Sequence, residues 1–226
     1  MSKLRVGGLV PFSANDYPGA LSVVVFCQGC PWDCGYCHNP HLLGPAPASP
    51  LNWDEVLHFL EKRSGLIDSV VFSGGEPTLQ SELPDAIGQV KKMGFRVGLH
   101  TSGAYPERLR AMLGNIDWVG LDIKAPFARY EEITGVTGSG ERALASALLV
   151  EMDPGDFEFR TTLHPALSSE EMLDEVAREL SSIGGGKWRI QPFSGRGSRI
   201  CGTSEIRIEG LACRLARENL QVEVRC

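Results

Sequence analysis

The sequence predicts an α/β fold in which parallel strands are joined by helical crossovers. Three observations carry this prediction. Short apolar and β-branched runs alternate with segments of helical spacing along most of the chain, and such alternation implies a parallel sheet. The 226 residues are 42% hydrophobic and 22% charged, which suits one globular unit with a real core. The chemically notable residues stand just after the expected strands, where folds of this class build their sites. About six strand–helix units are too few for a full eight-fold barrel. From pattern alone, a six-unit partial barrel and an open doubly wound sheet both remain.

The elements follow in order. Residues 22–26 are an apolar strand. Residues 53–62 have helical spacing, with Asn52 or Asp54 available to cap the start. A β-branched run at 69–72 reads as a strand, and 81–93 as a helix that stops before Gly94. Strand 95–99, helix 106–113 and strand 118–123 come next. Residues 125–140, with three glycines, read as a long loop. Helix 141–152 and strand 157–163 precede a helix at 168–183, for which Ser168 and Glu171 have capping-box spacing. Strand 187–191, helix 205–218 and strand 221–224 complete the series. A single unit over 1–226 is expected, with its core at about 20–200 and a C-terminal helix and strand over 203–226.

A net charge of −6 argues against a nucleic-acid partner, which calls for a basic face. No apolar run approaches the length of a membrane span, and residues 1–13 lack the apolar stretch of a secretory signal. A cytoplasmic address is expected, where thiols stay reduced.

Four of the seven cysteines, Cys27, Cys30, Cys34 and Cys37, fall within eleven positions after the run at 21–26. A disulfide framework does not suit a chain without a secretory signal. Two metal readings compete. Cys30, Cys34 and Cys37, spaced C-x3-C-x2-C, could hold three irons of a 4Fe-4S cluster and leave the fourth open for chemistry. All four thiols could instead form a tetrahedral zinc site.

Four further groups stand out. Gly74, Gly75, Glu76 and Pro77 follow the strand at 69–72, and two glycines let backbone approach a ligand closely. The plain alternative is a strand-to-helix turn. His100, Thr101 and Ser102 follow the strand at 95–99. Asp122 and Lys124 share one face of a strand end, as a structural ion pair or as a binding pair. Arg160, in the strand at 157–163, offers the planar guanidinium that pairs with carboxylates.

The cysteine spacing, with Tyr36 just before the last Cys, resembles the signature of radical S-adenosylmethionine (SAM) enzymes. The string Gln28-Gly29-Cys30-Pro31 followed by Tyr36-Cys37-His38-Asn39-Pro40 is similar to the activating enzymes of glycyl radical enzymes. Among these it is most similar to the activating proteins of anaerobic ribonucleoside-triphosphate reductase. The likeness runs from about Val10 to about Gly197. It implies a partial (β/α)6 TIM-like barrel and a 4Fe-4S cluster on Cys30, Cys34 and Cys37. Cys27 stands where that family usually has another residue, so it is read as a buried strand residue.

The resemblance also implies a SAM pocket. Tyr36, Gly74, Gly75, Glu76 and Pro77 would lie along it, with Glu76 and neighbouring carbonyls accepting from the methionine ammonium. Thr101 and Ser102 would hydrogen-bond the carboxylate, and Asp122, Lys124 and Arg160 would lie beside SAM. His100 stands where related activases often have Asp, and Ser194 stands at an adenine-contacting position. No cysteine-rich insertion separates Pro40 from Gly74, so the second-cluster domain of some activases is not expected.

The implied reaction is reductive cleavage of SAM to a 5′-deoxyadenosyl radical that takes a glycine Cα hydrogen from a partner, the anaerobic ribonucleotide reductase. A low-potential donor such as flavodoxin or ferredoxin would supply the electron. The rivals are activation of another glycyl radical enzyme such as pyruvate formate-lyase, small-molecule chemistry of the 7-carboxy-7-deazaguanine synthase type, and a non-enzymatic zinc-binding module.

Overall fold

The structure is a computed structural model that describes residues 3–44, 51–164, 167–193, 206 and 208–224. Eight strands form one sheet whose spatial order follows chain order. They are β1 (Val6–Ser13), β2 (Ser22–Cys27), β3 (Ser69–Gly74), β4 (Arg96–Thr101), β5 (Trp118–Asp122), β6 (Asp156–Leu163), β7 (Gly186–Pro192) and β8 (Leu220–Val224). β1 pairs antiparallel with β2, and every later neighbour is parallel. A doubly wound sheet reverses its strand order at a switch point. This sheet has no reversal, so it is an open arc of a barrel.

The crossovers are α1 (Trp53–Glu61), α2 (Leu83–Lys92), α3 (Pro106–Met112), α4 (Tyr130–Thr134), α5 (Ser139–Met152), α6 (Glu170–Ser182) and α7 (Leu211–Leu215). Asn52, not Asp54, caps α1. Its side chain accepts from Asp54 N at 3.1 Å, while the Glu55 carboxylate accepts from Asn52 N at 3.1 Å.

Side chains alternate across each strand, and the two faces differ here. Val23, Val25, Val70, Phe72, Val97, Leu99, Val119, Leu121 and Phe159 are buried with the apolar faces of the helices in the main core. The opposite face carries a small plug in which Val24, Val71 and Trp118 pack with Tyr17 and Ala20. Further along that face, at the carboxyl ends of the strands, the alternating positions turn polar: Ser73, His100, Asp122, Arg160, Thr162 and Gln191.

Four expectations change. β1 was not foreseen, because Gly7, Gly8 and Pro11 lower its strand propensity and two register shifts interrupt its pairing. The stretch 125–140 is not a long loop. It holds a 3₁₀ turn (Phe127–Arg129), α4 and the start of α5, and Tyr130, Ile133 and Ala143 build a second small core there. The cap of α6 is Ser169, which accepts from Met172 N at 3.1 Å, while Ser168 accepts from His164 N through its hydroxyl oxygen at 3.0 Å. The helix expected over 205–218 is only Leu211–Leu215 within the described residues.

Candidate active site

The cysteine loop leaves the end of β2 and is fixed by backbone hydrogen bonds. Gly29 N donates to Leu42 O at 2.7 Å, Cys30 N to Leu43 O at 3.2 Å and Cys37 N to Cys34 O at 3.1 Å. The glycine loop after β3 locks onto it, with Gly75 N donating to Cys27 O at 2.9 Å and Glu76 N to Gly29 O at 2.8 Å. Gly75 permits this contact, since a Cβ there would lie 2.1 Å from Gly29 O.

Cys30, Cys34 and Cys37 line one cavity of about 400 Å³, together with Tyr36, Gly74, Gly75, His100, Thr101, Ser102, Asp122, Lys124 and Arg160. Cys27 does not share it. It is fully buried in the main core, as read from sequence, and burial pushes its thiol far up. Burial also pushes the Cys30 thiol up to about 12, against a hydrogen bond from the Trp32 backbone N–H. The Cys34 thiol is raised by burial as well, with Lys124 opposing. Such thiols become thiolates only against a strong local cation, which a metal supplies on binding.

One wall is cationic. Arg160 donates through Nε (3.1 Å) and Nη2 (2.9 Å) to Asp122 Oδ1, and Lys124 Nζ donates to Asp122 Oδ2 at 3.3 Å. Burial works to raise the Asp122 carboxyl, but Arg160 and then Lys124 outweigh it and hold it down at about 2. Burial works to lower the Lys124 ammonium, but nearby Tyr36 and Asp122 carry it well above the usual lysine range. Two cations against one carboxylate leave this wall net positive. The Tyr130 hydroxyl clamps the strand end, donating to Asp122 O at 3.1 Å and accepting from Lys124 N at 3.0 Å.

The other wall is rich in acceptors, and Glu76 makes it so. Its carboxylate is buried and accepts from Thr78 N and Oγ1, Thr101 Oγ1, and Ser102 N and Oγ, at 2.5–3.1 Å. A carboxylate has about four lone-pair sites, so Glu76 is saturated by the protein. Thr101 and Ser102 are among its donors. Each gives its single hydroxyl proton to Glu76, so each can only accept from a ligand. They suit an ammonium better than a carboxylate.

Pro77 is buried at the start of a 3₁₀ turn (Pro77–Leu79) and does not line the cavity. His100 donates from Nε2 to Asp16 O at 2.9 Å, and its Nδ1 lies 3.3 Å from Ser73 Oγ, so it ties β4 to β3 and to the segment after β1. Ser194 lies outside the described residues. Trp32 and Tyr130 were missed as site residues. Trp32 stood visibly between the cysteines, but a lone Trp reads first as an apolar anchor. Tyr130 was hidden in a segment read as loop.

The residues fit a cuboidal iron–sulfur cluster on two grounds: three thiols line a cavity that also has a cationic wall, and the buried Trp32 Nε1–H has no hydrogen-bond partner among the described residues.

Comparison with known proteins agrees. The model of the radical SAM superfamily matches residues 24–176. A Methanocaldococcus jannaschii protein named as a glycyl-radical enzyme activating enzyme is 32% identical over 183 residues, covering 78% of this chain and 75% of that protein. The pyruvate formate-lyase-activating enzyme of Clostridium pasteurianum is 31% identical, over 79% and 77% respectively. Among solved structures, Streptococcus suis SuiB bound to S-adenosylmethionine aligns with a TM-score of 0.69 at 15% identity. That alignment covers 88% of this chain and 48% of SuiB, so the chain spans about half the length of that neighbour.

Proposed function

We propose that this chain, which belongs to the radical SAM superfamily, is the activating enzyme of a glycyl radical enzyme, with an anaerobic ribonucleoside-triphosphate reductase as its partner. The observation that carries the reading is one cavity shared by Cys30, Cys34 and Cys37, a cationic wall and an acceptor wall. Two relatives above 30% identity carry activase names. The string Tyr36-Cys37-His38-Asn39-Pro40 favours an activase over small-molecule chemistry, and activation of pyruvate formate-lyase is the second reading.

A 4Fe-4S cluster and SAM, when bound, supply a one-electron cleavage of the sulfonium that yields a carbon radical able to abstract hydrogen. The chain's own residues do the rest. Cys30, Cys34 and Cys37 would hold the cluster as three thiolates and leave one iron open to SAM. Lys124 and Arg160 fit the methionine carboxylate of SAM, with Asp122 holding both cations in place. The Ser102 and Thr101 oxygens and the carbonyls around Gly74 and Gly75 fit its ammonium. Glu76 acts through these groups by aiming the two hydroxyls. Tyr36, buried beside Lys124 with the Nζ 6.0 Å from its ring centroid, walls the cavity against water. A glycine suits the reaction because its backbone enters a narrow pocket without a side chain. The electron would come from a low-potential donor such as flavodoxin or ferredoxin, in the cytoplasm.

The test uses reductase from the same organism, labelled with deuterium at glycine Cα. It is incubated anaerobically with the reconstituted chain, SAM and reductant. Deuterium in the recovered 5′-deoxyadenosine supports the reading. Unlabelled 5′-deoxyadenosine rejects this partner and moves the search to pyruvate formate-lyase and other glycyl radical enzymes. Absence of SAM cleavage by cluster-loaded protein rejects the reaction itself.

A further inference from the structure

Among the described residues, two buried side-chain polar atoms lack a hydrogen-bond partner: Trp32 Nε1 and Arg189 Nε. The Arg189 guanidinium is served at its other nitrogens by Glu158 and Glu223. The Trp32 indole has no other polar atom. An amide-like N–H buried without an acceptor costs about 1–3 kcal/mol, and such a group calls for an ion or ligand that completes it.

The position of Trp32 restricts what that acceptor is. The residue stands midway between Cys30 and Cys34, is 1% exposed and lines the cavity that the three cysteines share. Its backbone N–H already hydrogen-bonds the Cys30 sulfur. Its ring packs in the small core with Ala104, Ala125, Ile133 and Ala143, whose side chains hold no acceptor. It meets Tyr130 edge to face at 5.8 Å and 74°. The loop cannot readily turn the indole away, because Asp33 N donates to Thr134 O at 2.9 Å and Tyr130 is itself clamped at the end of β5.

We propose that the Trp32 indole N–H donates a hydrogen bond to a sulfur of the cluster held by Cys30, Cys34 and Cys37, and so sets its reduction potential. The proposal rests on the cluster reading of these cysteines. An added electron raises the negative charge on the cluster sulfurs, so a donor beside them stabilises the reduced form more than the oxidised one. Trp32 is a positioning and tuning residue.

Trp32→Phe keeps most of the ring and removes the N–H. Iron and sulfide content and the visible spectrum first report whether the cluster is present, independently of the proposal. If iron is absent from the parent protein as well, the cluster reading fails and the proposal falls with it. With the cluster loaded, a redox titration followed by electron paramagnetic resonance gives the potential. The expected result is a one-electron reduction equilibrium about tenfold less favourable in the variant, a potential lower by about 59 mV. A change below about twofold in a fully loaded variant overturns the proposal. Should the variant fail to hold iron, the parent protein grown with ¹⁵N-indole tryptophan decides. Hyperfine coupling of ¹⁵N to the reduced cluster supports the proposal, and no coupling overturns it. An N–H directed at the Tyr130 ring instead would leave both readouts unchanged.

Discussion

Gly75→Ala tests how the two loops of the site are held together. Gly75 has an ordinary backbone conformation, since its φ is not positive. The cost of a side chain there is therefore collision alone. The added Cβ would lie 2.1 Å from Gly29 O, 2.7 Å from Gly29 C and 3.3 Å from Leu42 O, where ordinary contact begins at 3.4 Å. The obstacle is backbone, which cannot rotate aside. The cysteine loop and the glycine loop must separate by about 1.3 Å. That breaks the 2.8 Å bond from Glu76 N to Gly29 O and strains the bonds from Gly75 N to Cys27 O and from Gly29 N to Leu42 O. Losing one such bond and weakening two others, about 1–2 kcal/mol together, plus about 1–3 kcal/mol for overpacking, gives about 2–5 kcal/mol. Anaerobic urea unfolding of the metal-free chain reads this as a midpoint lower by about 1–2 M. Reconstituted iron should fall as well, because Cys30 moves with Gly29. Gly88→Ala is the control, since a Cβ there meets nothing within 4 Å, and it should stabilise α2 by up to about 1 kcal/mol. A Gly75→Ala protein with the parent's midpoint and iron content would refute the interlocking of the two loops.

Other predictions follow from single contacts. Asp122→Asn removes the partner of two cations at a strand end. Because the folded Asp122 carboxyl sits at about 2, below its ordinary 3.8, its contribution is full above about pH 4 and lost as pH falls through about 2. The side chain is 34% exposed, so the variant should be less stable by only about 1–2 kcal/mol at neutral pH. Unfolding midpoints of variant and parent should converge toward pH 2. Cys27→Ala should retain the full iron content and lose about 1–2 kcal/mol for a small buried vacancy. Iron lost from that variant would place Cys27 among the ligands. Asn52→Ala should cost about 1 kcal/mol through the α1 cap, read by thermal unfolding, and leave iron content alone.

The strands of the sheet interior were legible because each is a compact apolar or β-branched run bounded by turns, as at Ser69–Gly74. Strand order was half legible. Alternation with helices implied parallel pairing but not whether the winding reverses, which depends on which face of the sheet each helix covers. β1 was illegible because its glycines and Pro11 carry no strand signal, and pairing with β2 decides its conformation instead. The segment after Lys124 was misread because Gly135 and Gly138 suggested a loop. Both adopt positive φ at helix boundaries, as the C-cap of α4 and the N-cap of α5.

Within the site, spacing singled out the cysteines, whereas Asp122, Lys124 and Arg160 read equally as structural groups until the family resemblance implied a pocket; the structure brings all of them to one cavity. The direction of hydrogen bonds was not legible. That Glu76 accepts from Thr78, Thr101 and Ser102, which leaves the Thr101 and Ser102 hydroxyls only lone pairs to offer the cavity, depends on contacts across up to 26 residues of chain. Trp32 stood in plain view between Cys30 and Cys34, yet the missing partner of its N–H is a property of the packed loop.

The central claim is tested most directly by an anaerobic electron paramagnetic resonance spectrum. The reconstituted chain, SAM and reductant are mixed with the anaerobic ribonucleotide reductase of the same organism, and 5′-deoxyadenosine is quantified in the same tube. The account predicts a doublet glycyl radical signal on the reductase that grows with 5′-deoxyadenosine. A cluster-loaded protein that cleaves SAM and leaves no glycyl signal on this or any other glycyl radical enzyme of the organism would contradict it.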